Sequence, residues 1–179
     1  MTIRAATLSD AAEIARIHVD TWRVAYAGIV PDSHLSRLSK ETREKRWATT
    51  LSKSSKGSRV AVGPRGQAIG WTSFGPSRDS DGQGAGELYA IYLDHSYWGR
   101  GIGRELMNDA LSLLENEGFI SITLWVLQEN KRTRLFYEKA GLSPDGTSKV
   151  IEIDGKELTE LRYRKAAQQG AQPDAFGAG

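Results

Sequence analysis

The sequence predicts an α/β fold in which a central mixed sheet of about seven strands is flanked by about four helices. Three observations point there. Strand-like runs and segments of helical period follow one another along the chain, a strand passes through a glycine turn into a helix between Glu87 and Arg104, and Asp154-Gly155 separates two late alternating runs. No internal repeat with the period of a solenoid or propeller is present.

Thr2 to Thr7 is the length of a short strand. Ser9 and Asp10 offer N-cap chemistry to a first helix with Ile14, Ile17, Trp22 and Ala25 at helical spacing, and Gly28 with Pro31 ends it. A second helix is expected from about Asp32 to Leu51, its charged stretch Glu41 to Trp47 facing solvent. Glycine and proline at 57, 63, 64 and 66 punctuate two runs, Arg59 to Val62 and Ala68 to Phe74, spaced as a hairpin. Ser77 to Gly86 holds three glycines and no large apolar residue, and reads as a mobile connection. Glu87 to Leu93 is the next strand. From Gly101 a helix carries Ile102, Leu106, Ala110, Leu113 and Leu114 on one side until Gly118 closes it. Ile120 to Leu127 is β-rich, Asn130 caps a short helix to about Ala140, and Gly141 stops it. Ser148 to Ile153 and Glu157 to Arg164 form the final hairpin. A single domain over residues 1–165 is expected, with residues 166–179, rich in Ala, Gln and Gly, as a disordered tail.

Composition narrows the function. The chain has 179 residues and no Cys, which excludes a disulfide scaffold, a zinc finger, an iron–sulfur site and a cysteine nucleophile. A net charge of +2 is not the footprint of a nucleic-acid binder, so no nucleic-acid partner is expected. No apolar run approaches a membrane span and the N-terminus does not resemble a signal peptide, so a soluble cytoplasmic protein without membrane contact is expected. His18, His34 and His95 lack zinc-helix spacing, and no metal is predicted. The Ser elbow of an α/β-hydrolase is absent.

The segment Trp98-Gly99-Arg100-Gly101-Ile102-Gly103-Arg104 places three alternating glycines where a strand turns into a helix. Glycine permits φ > 0 and close backbone approach, so successive N–H groups can converge on a phosphate oxygen at the helix N-terminus, with Arg100 and Arg104 adding charge. The alternative is a tight turn with no ligand. A dinucleotide fingerprint would need a small residue at 106 or glycine at 104, where Leu106 and Arg104 stand, and the Gly-Lys-Ser/Thr ending of a P-loop is absent.

Between Glu87 and Leu142 the sequence resembles the Gcn5-related N-acetyltransferase (GNAT) superfamily. Glu-Leu-Tyr-Ala-Ile-Tyr-Leu matches its central strand, and Gly-Arg-Gly-Ile-Gly-Arg its acyl-CoA pyrophosphate loop. Leu124 to Leu127, Asn130 and Arg134 to Leu142 resemble the strand and helix that flank the acyl thioester. The resemblance implies a mostly antiparallel sheet and acetyl-CoA as co-substrate. It places Ile91, Tyr92, Leu93, Trp98, Gly99, Arg100, Gly101, Ile102, Gly103, Arg104, Asn130 and Tyr137 at the cofactor. The central strand would splay from its neighbour near Ile91, freeing the backbone of Ile91 and Leu93 for the pantetheine arm and one N–H for the carbonyl. Trp98 departs from the Gln or Arg usual at its position.

Acetylating an amine with a pKa near 10.4 means presenting its neutral form at a cost of about 4.6 kcal/mol at pH 7, unless a base and desolvation help. The resemblance offers Glu87 as that base, with a solvated strand-end carboxylate as the alternative, and Tyr137 as the acid that protonates the leaving thiolate. Tyr92 alternates with Ile91 and reads as packing first. Asn130 serves as cap, as cofactor contact, or both; Lys131, Arg132 and Arg134 meet the phosphates or form a solvated face. Trp22, Arg23 and Tyr26 fall where the family builds one wall of the acceptor pocket, and Trp22 and Tyr26 are taken as acceptor contacts. The expected activity is N-acetylation by direct attack in a ternary complex, the acceptor being a small-molecule amine rather than a protein. A non-catalytic acyl-CoA sensor and a scaffold protein are the competing readings. A homodimer through the late strands is a family expectation.

Overall fold

A computed structural model describes residues 1–167. Its strands are β1 (Thr2–Ala5), β2 (Ser58–Val62), β3 (Ala68–Pro76), β4 (Ala85–Leu93), β5 (Ser121–Leu127), β6 (Ser143–Ile153) and β7 (Lys156–Ala166). Its helices are α1 (Ala11–Ala25), α2 (Asp32–Arg37), α3 (Lys40–Lys53), α4 (Ile102–Asn116) and α5 (Lys131–Lys139). The strands join in the order β1-β2-β3-β4-β5-β7-β6. Every neighbouring pair is antiparallel except β4 with β5.

Five helices stand where about four were expected, because the second one breaks. Leu38 is extended (ψ 122°), and the Ser39 hydroxyl accepts from the Thr42 N–H at 3.1 Å, starting a new helix. Residues 77–84 also differ from the mobile connection predicted. Arg162 of β7, 5% exposed, pairs with Asp79 and Asp81 of that segment and with Asp145 of β6, while the Trp125 indole donates to Asp79. The sequence around Asp79 and Asp81 carries no sign of an arginine more than eighty residues away. At the other end β7 includes Ala166, and the Ala167 N–H donates to Ile120 O at 3.0 Å. The remainder of the predicted tail lies outside the described residues.

Apolar side chains cover both faces of the sheet. On one, Met107, Ala110, Leu111 and Leu114 of α4 pack on Leu88, Ile122, Leu124 and Val126. On the other, Ile14 and Ile17 of α1 and Leu51 of α3 pack on Val60 and Trp71, and Trp22, Tyr26, Val30 and Leu35 pack on Leu127 and Leu158.

Two irregularities shape β4. Its register with β3 shifts between Ser73 and Phe74, which pair with Ala90 and Leu88, so Tyr89 is an extra, bulged residue. Beyond the bulge, Ile91 packs with the α4 side while Ala90 and Tyr92 face α1 and α3. Pairing with β5 is limited to Ala85 with Ser121, Gly86 with Ile122 and Glu87 with Thr123. β5 continues on β7 as far as Leu127, so from Leu88 onward a wedge opens between β4 and β5. The separation therefore begins some three residues before Ile91, where it was expected.

Leu114 is fully buried where α4 crosses the paired ends of β4 and β5. Leu114→Ala is expected to cost about 2–5 kcal/mol of stability, read from urea unfolding midpoints.

Candidate active site

The turn at the mouth of the wedge has the conformation its glycines predict. Gly99 and Gly101 adopt φ of 77° and 82°, and a Cβ at either would meet nothing within 4 Å. Left-handed backbone, rather than space, demands glycine here. Gly101 is the N-cap of α4, and its carbonyl accepts from Arg104 and Glu105, leaving the first N–H groups of the helix without intrahelical acceptors. These donors, the helix dipole and the exposed Arg100 and Arg104 form an anion cradle suited to a pyrophosphate.

Trp98 ties this turn to its surroundings. Its indole N–H donates to Leu93 O at 2.8 Å, and the Arg132 guanidinium of α5 sits 3.7 Å above its ring. The Trp98 departure thus binds the turn to β4 and, across the wedge mouth, to α5. Arg134 is occupied structurally, donating to Tyr163 Oη and Gln128 O, whereas Lys131 is exposed.

Along the wedge, the Asp94 N–H donates to Ile69 O. Antiparallel alternation then turns the backbone groups of Tyr92 and Ala90 toward β3 and those of Ile91 and Leu93 toward the gap. Leu93 offers the gap its backbone N–H. Its carbonyl accepts from both Trp98 and the Thr21 hydroxyl, so Ile91 carries the free carbonyl.

Tyr137 of α5 lies across the gap. The residue is 7% exposed, and its hydroxyl has no hydrogen bond among the described residues yet is not among their sealed-off polar atoms. Burial, reinforced by the nearby Tyr92, raises its pKa far above that of an ordinary phenol. It stays protonated throughout the neutral range. Asn130 caps α5 through Oδ1, which accepts from Thr133 N at 3.2 Å, and its amide nitrogen has no partner among the described residues.

The sequence matches the model of the acetyltransferase (GNAT) family over residues 12–142. The chain belongs to that family. The uncharacterized N-acetyltransferase YuaI of Bacillus subtilis is 37% identical over 162 residues, covering 90% of each chain. A protein named probable N-acetyltransferase in Mycobacterium tuberculosis is 31% identical over 165 residues, covering 90% of this chain and 91% of that one. The fold is shared with a phosphinothricin acetyltransferase from Sinorhizobium meliloti solved in complex with acetyl-CoA, with a TM-score of 0.71, 19% identity, and coverage of 95% of this chain and 90% of that one. This GNAT protein is an N-acetyltransferase, and the cradle and wedge fit acetyl-CoA as its donor. Among the described residues no cluster of three or more His, Cys, Asp or Glu side chains is arranged to hold a metal ion, and no helix is long and apolar enough to cross a membrane.

Glu87 stands at the closed end of the wedge. It is 1% exposed, so it is not the solvated strand-end carboxylate of the alternative reading. Both its oxygens are engaged by Arg78, through the backbone N–H at 2.9 Å and through the guanidinium, which also lies 4.2 Å above the Tyr89 ring.

On the α1 side Trp22 Nε1 donates to Tyr92 Oη at 2.9 Å, and Tyr26 Oη lies 3.4 Å from the same oxygen. Tyr92 therefore presents its side chain to the wall formed by Trp22 and Tyr26 and not to the cofactor cradle. Burial raises the Tyr26 phenol strongly, and its contact with Tyr92 and the Glu160 carboxylate add to this. Glu160 of β7, opposite Leu127 and 3.3 Å from the Lys149 ammonium, is near enough for its charge to act on Tyr26 and Tyr92. Sequence reading missed it, and also Arg43 of α3, because only strand order and helix packing bring them here.

His18 completes this wall, with ring centroids 5.6 Å from Trp22, 5.7 Å from Trp71 and 5.3 Å from Tyr92. Burial, aided by the Arg43 charge, lowers its pKa from 6.5 to about 3. Below pH 6.5 the unfolded chain binds a proton at this position that the folded one refuses, so stability falls with pH. This contribution is expected to approach 1.4 kcal/mol per pH unit between about pH 6 and pH 4. His18→Phe should flatten the pH dependence of the unfolding free energy in that window.

Proposed function

We propose that the protein acetylates a primary amine of a small-molecule acceptor by direct attack within a ternary complex. The observation that carries this reading is the unpaired stretch of β4 facing a protonated, unengaged Tyr137 hydroxyl across the wedge. Acetyl-CoA supplies the acyl group as an activated thioester. Gly99 to Arg104 hold its pyrophosphate, Ile91 pairs with the pantetheine arm, and a backbone N–H of β4 polarises the thioester carbonyl. The Asn130 amide steadies the same arm.

Trp22, Tyr26 and Tyr92 form the acceptor wall and desolvate the amine, which favours its neutral form. Glu87 takes the proton, directly or through a water molecule. Its Arg78 partner has a side chain 65% exposed and turns outward to admit the amine. As the C–N bond forms and the C–S bond breaks, Tyr137 passes its proton to the departing sulfur. With no Cys in the chain, a cysteinyl acyl-enzyme is excluded, and proximity of amine and thioester supplies much of the acceleration.

Thiol release against a panel of amines tests the reaction. Tyr137→Phe is expected to lower kcat by about 10²- to 10⁴-fold while the acetyl-CoA Kd, measured by calorimetry, is unchanged. Glu87→Gln should lower kcat to a similar degree, again with cofactor affinity retained. Full turnover in either variant removes that residue from the mechanism.

A further inference from the structure

α3 brings an unpartnered cation to the acceptor wall. Arg43 and Trp47 are one helical turn apart and share a face. Trp47 meets the Trp71 ring edge-on at 4.7 Å, so Arg43 is directed toward α1 and β4, where its charge acts on both His18 and Tyr92. The guanidinium is half-buried, and among the described residues it has neither a salt bridge nor a hydrogen bond. The other half-buried or buried arginines among the described residues, at positions 4, 16, 59, 134, 162 and 164, each donate to an acceptor. Arg46, three residues further along α3, is also positive and repels it.

A second observation concerns the neighbouring rings. Both ring nitrogens of His18, a residue only 9% exposed, and Trp71 Nε1 are buried without hydrogen-bond partners. Neutral histidine has one N–H donor and one acceptor nitrogen, and an indole is a donor only. Donors therefore outnumber acceptors where Arg43 arrives, and a buried cation left unpaired is costly. Among the described residues no carboxylate pairs with the Arg43 guanidinium.

We infer that Arg43 binds an oxyanion carried by the acceptor, so that the amine acetylated is of the amino-acid type, with a carboxylate or phosphonate beside it. Trp22, Tyr26 and Tyr92 lie between this anchor and the wedge, and direct the amine toward the thioester. The inference rests on the amine-acetylating reading given above.

Matched pairs of probes test it: the common L-amino acids beside their carboxamides, and 2-aminoethylphosphonate beside ethanolamine. Each is followed by calorimetric titration of the CoA-saturated protein and by thiol release with acetyl-CoA. At least one acid member is expected to exceed its neutral partner about tenfold or more in affinity and kcat/KM. Arg43→Gln should abolish that preference while leaving the acetyl-CoA Kd unchanged, and Arg43→Lys should retain part of it. The two oxyanion chemistries are separated by which arm responds. If no acid member is preferred, whether both members of every pair bind alike or neither binds, the inference falls; it also falls if the preference survives in Arg43→Gln. Failure of the acetyl-CoA titration itself would instead overturn the underlying function, and is seen independently of any Arg43 variant.

Discussion

β4 and β5 run side by side for three register pairs and then part, which leaves backbone N–H and C=O groups of a central strand without the partners a sheet normally supplies. Unpaired groups inside a protein are expensive, so the separation must be held open from both sides. On the β4 side the Tyr89 bulge bends the strand, Thr21 and Trp98 satisfy the Leu93 carbonyl, and α4 is anchored beneath by Leu111 and Leu114. On the β5 side, pairing with β7 continues to Leu127. The cradle, the Tyr137 hydroxyl and the aromatic wall face one another because of this gap.

Charge then sets the shape of the closed end of the wedge. Arg162 gathers Asp79, Asp81 and Asp145 and fastens the β3–β4 connection to the far half of the sheet. Its bonds to these carboxylates raise its pKa, and in return they help hold Asp81 and Asp145 below the usual carboxylate range. Asp79 thereby brings its neighbour Arg78 over Glu87. The carboxylate at the closed end of the wedge is consequently covered by a segment whose position is set two strands away.

Local chemistry was the legible part of the sequence. The turn at Gly99 to Gly103, the Asn130 cap and the Asp154-Gly155 hairpin follow from short-range geometry, and each formed where spacing placed it. The Gly101 turn was visible because the residues that build it are close in sequence, whereas Tyr137 stood out only through the family resemblance. The break at Leu38 escaped because a serine within a charged helical pattern caps one helix as readily as it continues another. The early parting of β4 was hidden because a bulge leaves no periodic signature. Glu160 and Arg43 were illegible for a further reason: each belongs to an element that reads as an ordinary solvated strand or helix until strand order and packing bring it to the wedge.

The five tryptophans are distributed with a practical outcome. Trp22, Trp47 and Trp71 are linked through ring contacts around His18, Trp98 lies under Arg132 beside the cradle, and Trp125 carries Lys149 above its ring on the sheet. None is remote from the site. The intrinsic ultraviolet emission of the unlabelled protein is therefore an optical gauge of the His18 cluster and of the glycine turn together, reported by indoles in different electrostatic surroundings.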